Sequence, residues 1–318
     1  MSINFRRKIF NSFKVRMYAS LLVPYLIFFI LLVLGQIISP GYFSLDHLQS
    51  ILSLAAPLGL MVMGETMVLI LGGDEIDISV GDEASSAIII GALLLQFYPL
   101  WLTTLIILFQ GIVFGALNGL GRRYLKIPAL IMTFLTGRLL YGLSIFVTRG
   151  TPSGLASPEV IKLSSFPMST MLWVILSVLL ILVLAKTVFG RILYAIGDNP
   201  VAAYTTGIPI NLVSIIVYML SGALSAFSGL LLLGIFMIPA GYGVVSSYSL
   251  QAVVATILGG VSAGKGSYIG AIGGVLVITV LNSFFTIFNI PEAERTLLYG
   301  VTLATILIFY GRREAIRK

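Results

Sequence analysis

Apolar runs of about twenty residues recur along the whole chain, from Met17–Ile38 to Thr296–Tyr310, and few charges interrupt them. An α-helix needs roughly 20 such residues to cross the ~30 Å hydrocarbon core of a bilayer. Strands of a membrane barrel alternate apolar and polar residues; these runs do not. The expected fold is therefore an all-α integral membrane protein of about ten transmembrane helices. Composition matters at one point, since only 10% of the residues are charged against about 25% in a soluble domain. The whole chain, residues 1–318, reads as one transmembrane domain.

One stretch conflicts with this background. Five of the twelve acidic residues, Asp74, Glu75, Asp77, Asp82 and Glu83, fall within Gly72–Glu83, with no Lys or Arg nearby in sequence. An acidic side chain facing lipid at mid-bilayer costs roughly 2.5–3.5 kcal/mol, so the stretch must reach water, a protein-lined cavity or a counter-charge. The apolar run that follows, Ser85–Tyr98, has fourteen residues, roughly 21 Å of helix. That is too short to cross, which places part of Gly72–Glu83 at membrane depth. The alternative is a loop at the cytoplasmic edge with a strongly tucked span.

The cations orient the chain. Spans are expected at about 17–38, 48–71 (with Pro57 kinking it), 85–98, 101–120, 127–147, 169–188, 212–235, 248–258, 268–288 and 296–310. All but four of the 19 Lys and Arg then fall on one side, in the N-terminal tail, at Arg122, Arg123, Lys126, Lys186, Arg191 and Lys265, and in the tail Gly311–Lys318. Excess Lys and Arg mark cytoplasmic loops, so both termini are expected in the cytoplasm. Arg149, Lys162 and Arg295 fall outside, as does the segment Pro239–Ser249. Arg138 lies inside a span, either as a functional group or as the partner of an acid across the bundle. Asn118 reads as a helix-packing hydrogen bond, and His47 as an interfacial group.

The span Tyr248–Leu258 repeats the anomaly of the third. Eleven residues give roughly 16 Å of helix, and the run ends in Gly259-Gly260, followed by Gly264-Lys265-Gly266. Ile70-Leu71-Gly72-Gly73 and Ile257-Leu258-Gly259-Gly260 are the same tetrapeptide in the same context. Discontinuous helices in paired positions are a feature of transport pathways. Gly259 to Lys265 also fits the start of a phosphate-binding loop, G-x-x-x-x-G-K, but Gly266 stands where Ser or Thr should ligate magnesium. One His and no Cys leave zinc chemistry unsupported, and the acids lack EF-hand spacing. No metal or cofactor is expected, and neither is a catalytic residue.

Between the sixth and seventh spans, Asn199 suits an N-cap and Pro200 the first helical position. Gly207 suits the stop, with Pro209 beyond. These residues describe a two-turn helix held outside the membrane, where a partner could push on it.

Three motifs together carry a resemblance: Gly72-Gly73 with Ile76-Asp77-Ile78-Ser79-Val80-Gly81; Phe189-Gly190-Arg191, then Tyr194 to Pro200, Ala202-Ala203 and Gly207-Ile208; and Leu258-Gly259-Gly260 with Gly264-Lys265-Gly266. Their order and spacing resemble the permease subunit of bacterial ABC importers of the ribose, xylose, arabinose, galactose and autoinducer type. The resemblance implies residence in the bacterial inner membrane, a second permease copy or paralogue, two cytoplasmic ATPase subunits that bind the ATP, and a periplasmic substrate-binding protein. It implies a sugar or sugar-like solute and no enzymatic activity in this chain. It also implies that Gly197, Asp198, Asn199, Pro200, Ala202, Ala203 and Gly207 form the segment that docks on the ATPase. Asp74-Glu75 and Asp82-Glu83 depart from the family pattern, and Val201 stands where an acid is common.

Gly72, Gly73, Asp77, Ser79, Gly81, Gly259, Gly260 and Lys265 are accordingly expected along the translocation route, with Lys265 a candidate partner for Asp77. A permease for branched-chain amino acids or nucleosides is the nearest alternative. An ion-coupled secondary transporter using Glu65 and Asp77 for protons is the alternative from another class.

Overall fold

The computed structural model describes residues 3–239, 241–262 and 264–315, with side chains described within 21–305. The cations of the basic N-terminal tail and of the tail Gly311–Lys318 lie outside the described side chains.

Thirteen helices follow one another among the described residues: α1 (Ile3–Ile38), α2 (Leu45–Ile70), α3 (Val80–Leu94), α4 (Leu100–Arg123), α5 (Ala129–Thr148), α6 (Pro158–Ser164), α7 (Met168–Lys186), α8 (Val188–Asp198), α9 (Pro200–Thr205), α10 (Ile210–Phe236), α11 (Tyr248–Leu258), α12 (Tyr268–Ile287) and α13 (Glu292–Ala315). The only β pairing among these residues is an isolated bridge, Ser262 to Lys265. Seven helices, the first counted from Leu21, are long and apolar enough to cross a membrane: α1, α2, α4, α5, α7, α10 and α12. Of these α2 is the most enclosed and α1 the least, so α2 runs through the middle of the bundle.

The two short apolar runs are short helices in the structure as well, at 15 residues for α3 and 11 for α11. Helix α3 begins five residues earlier than expected, at Val80. Its first turn carries Asp82 and Glu83, where the unpaired N–H groups and positive dipole end favour carboxylates. The acids therefore start the helix rather than precede it.

The closest packing joins α4 to α10. Gly111, Gly115 and Gly119 recur every fourth residue on α4, one above another along a single face. A Cβ at Gly115 would lie 2.9 Å from the Met219 Cα, and one at Gly119 would lie 2.7 Å from the Ile215 Cα. On α10, Gly222 answers in kind, with its Cβ position 3.0 Å from the Gly111 carbonyl carbon. The backbones touch along this seam, and the two helices run antiparallel. Apolar side chains of α2, α3, α10, α11 and α12 fill the rest of the core.

The connection from α10 to α11 departs from the expected outer loop. Met237 ends α10 in a left-handed conformation, and the described residues up to Ser247 form turns rather than helix. From an exposed start this half-buried segment runs along α3 and α5. The Tyr242 hydroxyl hydrogen-bonds Thr148 at the end of α5, the Gly243 N–H donates to Ser85 Oγ at 3.1 Å, and Ser246 donates to Asp82. These turns extend the path of α11 before Tyr248. Turn backbone can sit between helices because protein groups satisfy it.

Candidate functional site

Three groups of residues follow one another from the end where α2, α4, α8 and α11 stop toward the middle of the bundle, and the first and third lie at that end. This is the basic end of the bundle, since Arg122 and Arg123 close α4 there.

The first group begins at Gly72 and Gly73, both at positive φ (79° and 65°), which turn the chain out of α2 at no steric cost. Asp74 is 63% exposed, but Glu75 is only 3% exposed. Arg122 bridges Asp74 and Glu75, Arg123 reaches Glu75 at 2.9 Å, and the Tyr218 hydroxyl donates to Glu75 at 2.7 Å. The counter-charge sought for the acidic stretch comes from α4, 47 residues away. In the sequence both arginines serve only to orient the chain, and their spacing gives no cue that they turn inward.

Further into the bundle, Glu65, Asp77, Ser79 and Glu83 are fully buried. None of the three carboxylates forms a salt bridge with a described Lys or Arg, so hydrogen bonds must make burial tolerable. Asp77 accepts from the Ser79 hydroxyl at 2.6 Å, the Ser79 N–H at 3.1 Å and the Ser221 hydroxyl at 2.8 Å. Its own N–H donates to Glu65 at 3.2 Å. Asn118 donates to Ser79 Oγ at 2.9 Å, so it pins α4 to the break, in keeping with the packing role expected of it. Glu83 is the least satisfied. Its Oε1 lies 3.3 Å from the Ser79 hydroxyl, whose single proton has the shorter contact with Asp77. Its Oε2 has no partner among the described residues.

The second group is the start of α11 against the start of α3. Gly81 N–H donates to Ser249 Oγ at 2.9 Å, and a Cβ on Gly81 would lie 2.7 Å from that oxygen. Asp82, one residue on, forms the ion pair with Arg138 and accepts from Ser246. Arg138 is the tenth of the 20 residues of α5, so the acidic stretch climbs from the basic end to the middle of the bundle. Of the two readings of Arg138, the cross-bundle pair is the one formed.

The third group joins both breaks to the segment leaving α8. The Gly264 N–H donates to the Leu69 carbonyl at 3.1 Å. A Cβ at Gly72 would lie 2.8 Å from the Gly197 carbonyl oxygen, and one at Gly264 would lie 2.5 Å from the Gly197 carbonyl carbon. Gly72, Gly197 and Gly264, one from each motif, therefore meet backbone to backbone. Tyr194 adds a bond from α8 to the Gly266 carbonyl at 2.9 Å. Gly260, at φ 81°, turns the chain after α11, and Gly259 packs against the start of α12, its Cβ position 2.5 Å from the Ala271 nitrogen.

Lys265 is not brought to Asp77. It is exposed, whereas Asp77 is enclosed, and no ion pair joins them. Its place in the Ser262–Lys265 bridge holds it in a turn at the bundle end.

Helix α9 has the geometry its caps foretell. Asn199 accepts from the Ala202 N–H at 2.9 Å, Gly207 turns at φ 83°, and the Ile208 N–H returns to the Ala203 carbonyl at 3.2 Å. Asp198 ends α8 and Pro200 begins α9. Ala203 is buried, while Val201 and Tyr204 are 72% and 75% exposed. The adjoining α8 was not foreseen.

Comparison with known proteins places these motifs in context. Residues 47–307 match the family described as "Branched-chain amino acid transport system / permease component". The chain is similar to the Autoinducer 2 import system permease protein LsrC of Photorhabdus laumondii, at 35% identity over 295 residues, 89% of this chain and 87% of that protein. It is 34% identical over 283 residues to LsrC of Salmonella typhimurium, covering 85% and 80% of the two chains. With LsrC of Escherichia coli O9:H4 it shares 32% identity over 292 residues, 89% and 84% of the two. No solved structure matches the chain.

Proposed function

This chain belongs to the family described as the permease component of the branched-chain amino acid transport system, and on that premise we propose what it carries and how it is driven. It is the membrane-spanning subunit of an ATP-binding-cassette importer in the bacterial inner membrane, a transporter part and not an enzyme. The solute is sugar-like, of the kind represented by autoinducer 2. A periplasmic binding protein delivers it, and two cytoplasmic ATPase subunits drive a pair of permease chains. Ten crossings place both termini in the cytoplasm: the seven long helices, the interrupted α3 and α11, and α13.

The observation that carries this reading is the meeting of Gly72, Gly197 and Gly264. A push on α9 has a contiguous backbone route, through the end of α8, to both helix interruptions. Asp77, Ser79, Gly81, Gly259 and Gly260 line the interruptions that such a push would move. Lys265 belongs to the same moving turn.

Val201 and Tyr204, exposed on a two-turn helix with Ala203 anchored beneath, are the docking face. Aromatic residues at the centre of a docking face commonly cost 2 kcal/mol or more when truncated, about thirtyfold in affinity. Tyr204→Ala should therefore reduce ATPase subunits co-purifying with the permease about thirtyfold, and solute uptake with them. Unchanged co-purification would remove α9 from the interface. Uptake by the permease alone, driven by a proton gradient through Glu65 and Asp77, would overturn the importer reading.

A further inference from the structure

We infer that Asp82, Arg138, Tyr141, Tyr242 and Ser246 form half of a contact site for a neutral, hydroxyl-rich solute on the open side of α5, the facing half coming from the second permease chain. The inference rests on the importer reading and names where its solute is held.

Arg138 sets the problem. It sits halfway along α5, and its side chain is 44% exposed while Asp82 is 5% exposed. Ionised groups at such positions face a bundle interior or a water-filled path rather than lipid. The open half of the guanidinium therefore looks onto one or the other.

Its bonding is also incomplete. Of the five N–H donors of arginine, one is engaged in a described hydrogen bond, to Asp82. Asp82 is filled on the other side by the Ser246 hydroxyl. The Tyr141 ring lies 5.4 Å from the guanidinium carbon and 6.1 Å from the Tyr242 ring, edge to face. The Tyr141 hydroxyl has no described hydrogen bond.

Beneath these groups is a narrow slot with no room for a water molecule, lined by Asp82, Ser85, Ser86, Tyr141, Ser144 and Tyr242 among others. A sugar hydroxyl both donates and accepts, so a carboxylate beside a guanidinium answers two neighbouring hydroxyls at once. The tyrosine rings answer the apolar C–H faces. The pair carries no net charge and so favours a neutral solute. Enclosed small-molecule sites usually span about 300–1,000 Å³, and this slot encloses no such space, so these groups are one wall of a site and need a second.

The slot also joins the two interrupted helices. Asp82, Ser85 and Ser86 come from α3, just past the first interruption, and Tyr242 and Gly243 from the turns that precede α11. Motion at either interruption changes its width.

Two measurements test this. The chain has no cysteine, so Tyr141→Cys, Ser246→Cys and, as a lipid-side control, Leu105→Cys can each be probed in vesicles with a membrane-impermeant maleimide. Labelling of the first two at least tenfold faster than the third is expected; equal, slow labelling of all three overturns the site. In the reconstituted importer, with autoinducer 2 or D-ribose as probe, the reciprocal exchange Asp82→Arg with Arg138→Asp separates the roles. It should preserve ATP hydrolysis stimulated by the loaded binding protein within about twofold and lower uptake at least thirtyfold. Restoration of uptake by the exchange means the pair is only structural and overturns the inference. Should the exchanged protein not assemble, Tyr141→Phe should lower uptake three- to tenfold with stimulation intact; no change overturns the site. Absence of any stimulation in the unmodified complex would instead defeat the importer reading.

Discussion

Replacing Glu75 by leucine should destabilise the protein by about 3 kcal/mol, near the lower end of the 3–5 kcal/mol that breaking a buried ion pair costs. The loss comes from what stays behind. Arg123 and the Tyr218 hydroxyl both rely on Glu75, and the substitution leaves each in a largely enclosed place with no acceptor. Arg122 keeps its contact with Asp74, which is why the lower end applies. The measurement is the midpoint of unfolding in detergent, compared with a triple variant in which Arg122 and Arg123 also become leucine. An apolar replacement of the whole set should recover most of the loss. If Glu75→Leu alone unfolds at the same midpoint as the unmodified chain, water screens these charges and the bridge does not hold α4 to the break.

The second large effect is on coupling. Gly264→Ala should lower uptake at least tenfold while assembly with the ATPase subunits is retained. Alanine at φ 81° is in the left-handed region, at a cost of roughly 1–2 kcal/mol. Its Cβ also enters the space held by the Gly197 backbone, so the two segments must part. Gly197→Ala attacks the same contact from the other side. Mutations that break one shared contact do not add, so the double variant should be little worse than either single one. Losses that multiply instead would mean that the two glycines act separately.

Much of this arrangement was legible in the chain because it follows from lengths and local rules. Helix rise against bilayer thickness showed that 85–98 and 248–258 were too short to cross. Asn199, Pro200 and Gly207 announced α9 through capping chemistry. What was not legible depends on long-range meetings. Glu75 finds Arg122 and Arg123 only because α4 returns to the same end of the bundle. The sequence points to Gly259–Gly266 as the second interruption, because a glycine run is conspicuous. The turns before Tyr248, which extend the path of α11, are held by Asp82, Ser85 and Thr148, contacts that no local pattern encodes. Lys265 is a natural mate for Asp77 on charge alone, yet Ser79, just before α3, and Ser221 of α10 serve Asp77 instead. The repeat of Gly111, Gly115 and Gly119 was open to recognition, and its four-residue spacing was the signal passed over.

That glycine stripe has a consequence for how the protein is made. Helix α4 is synthesised well before α10, the helix whose backbone it touches. It must therefore wait in the bilayer with its grooved face against lipid until the ribosome has delivered α5 to α9. A nascent chain halted before Ile210 should let lipid-borne crosslinkers reach Gly115, and completing α10 should shut them out. The order of translation leaves α4 and Arg122 in place early, with α10 arriving later to close over them.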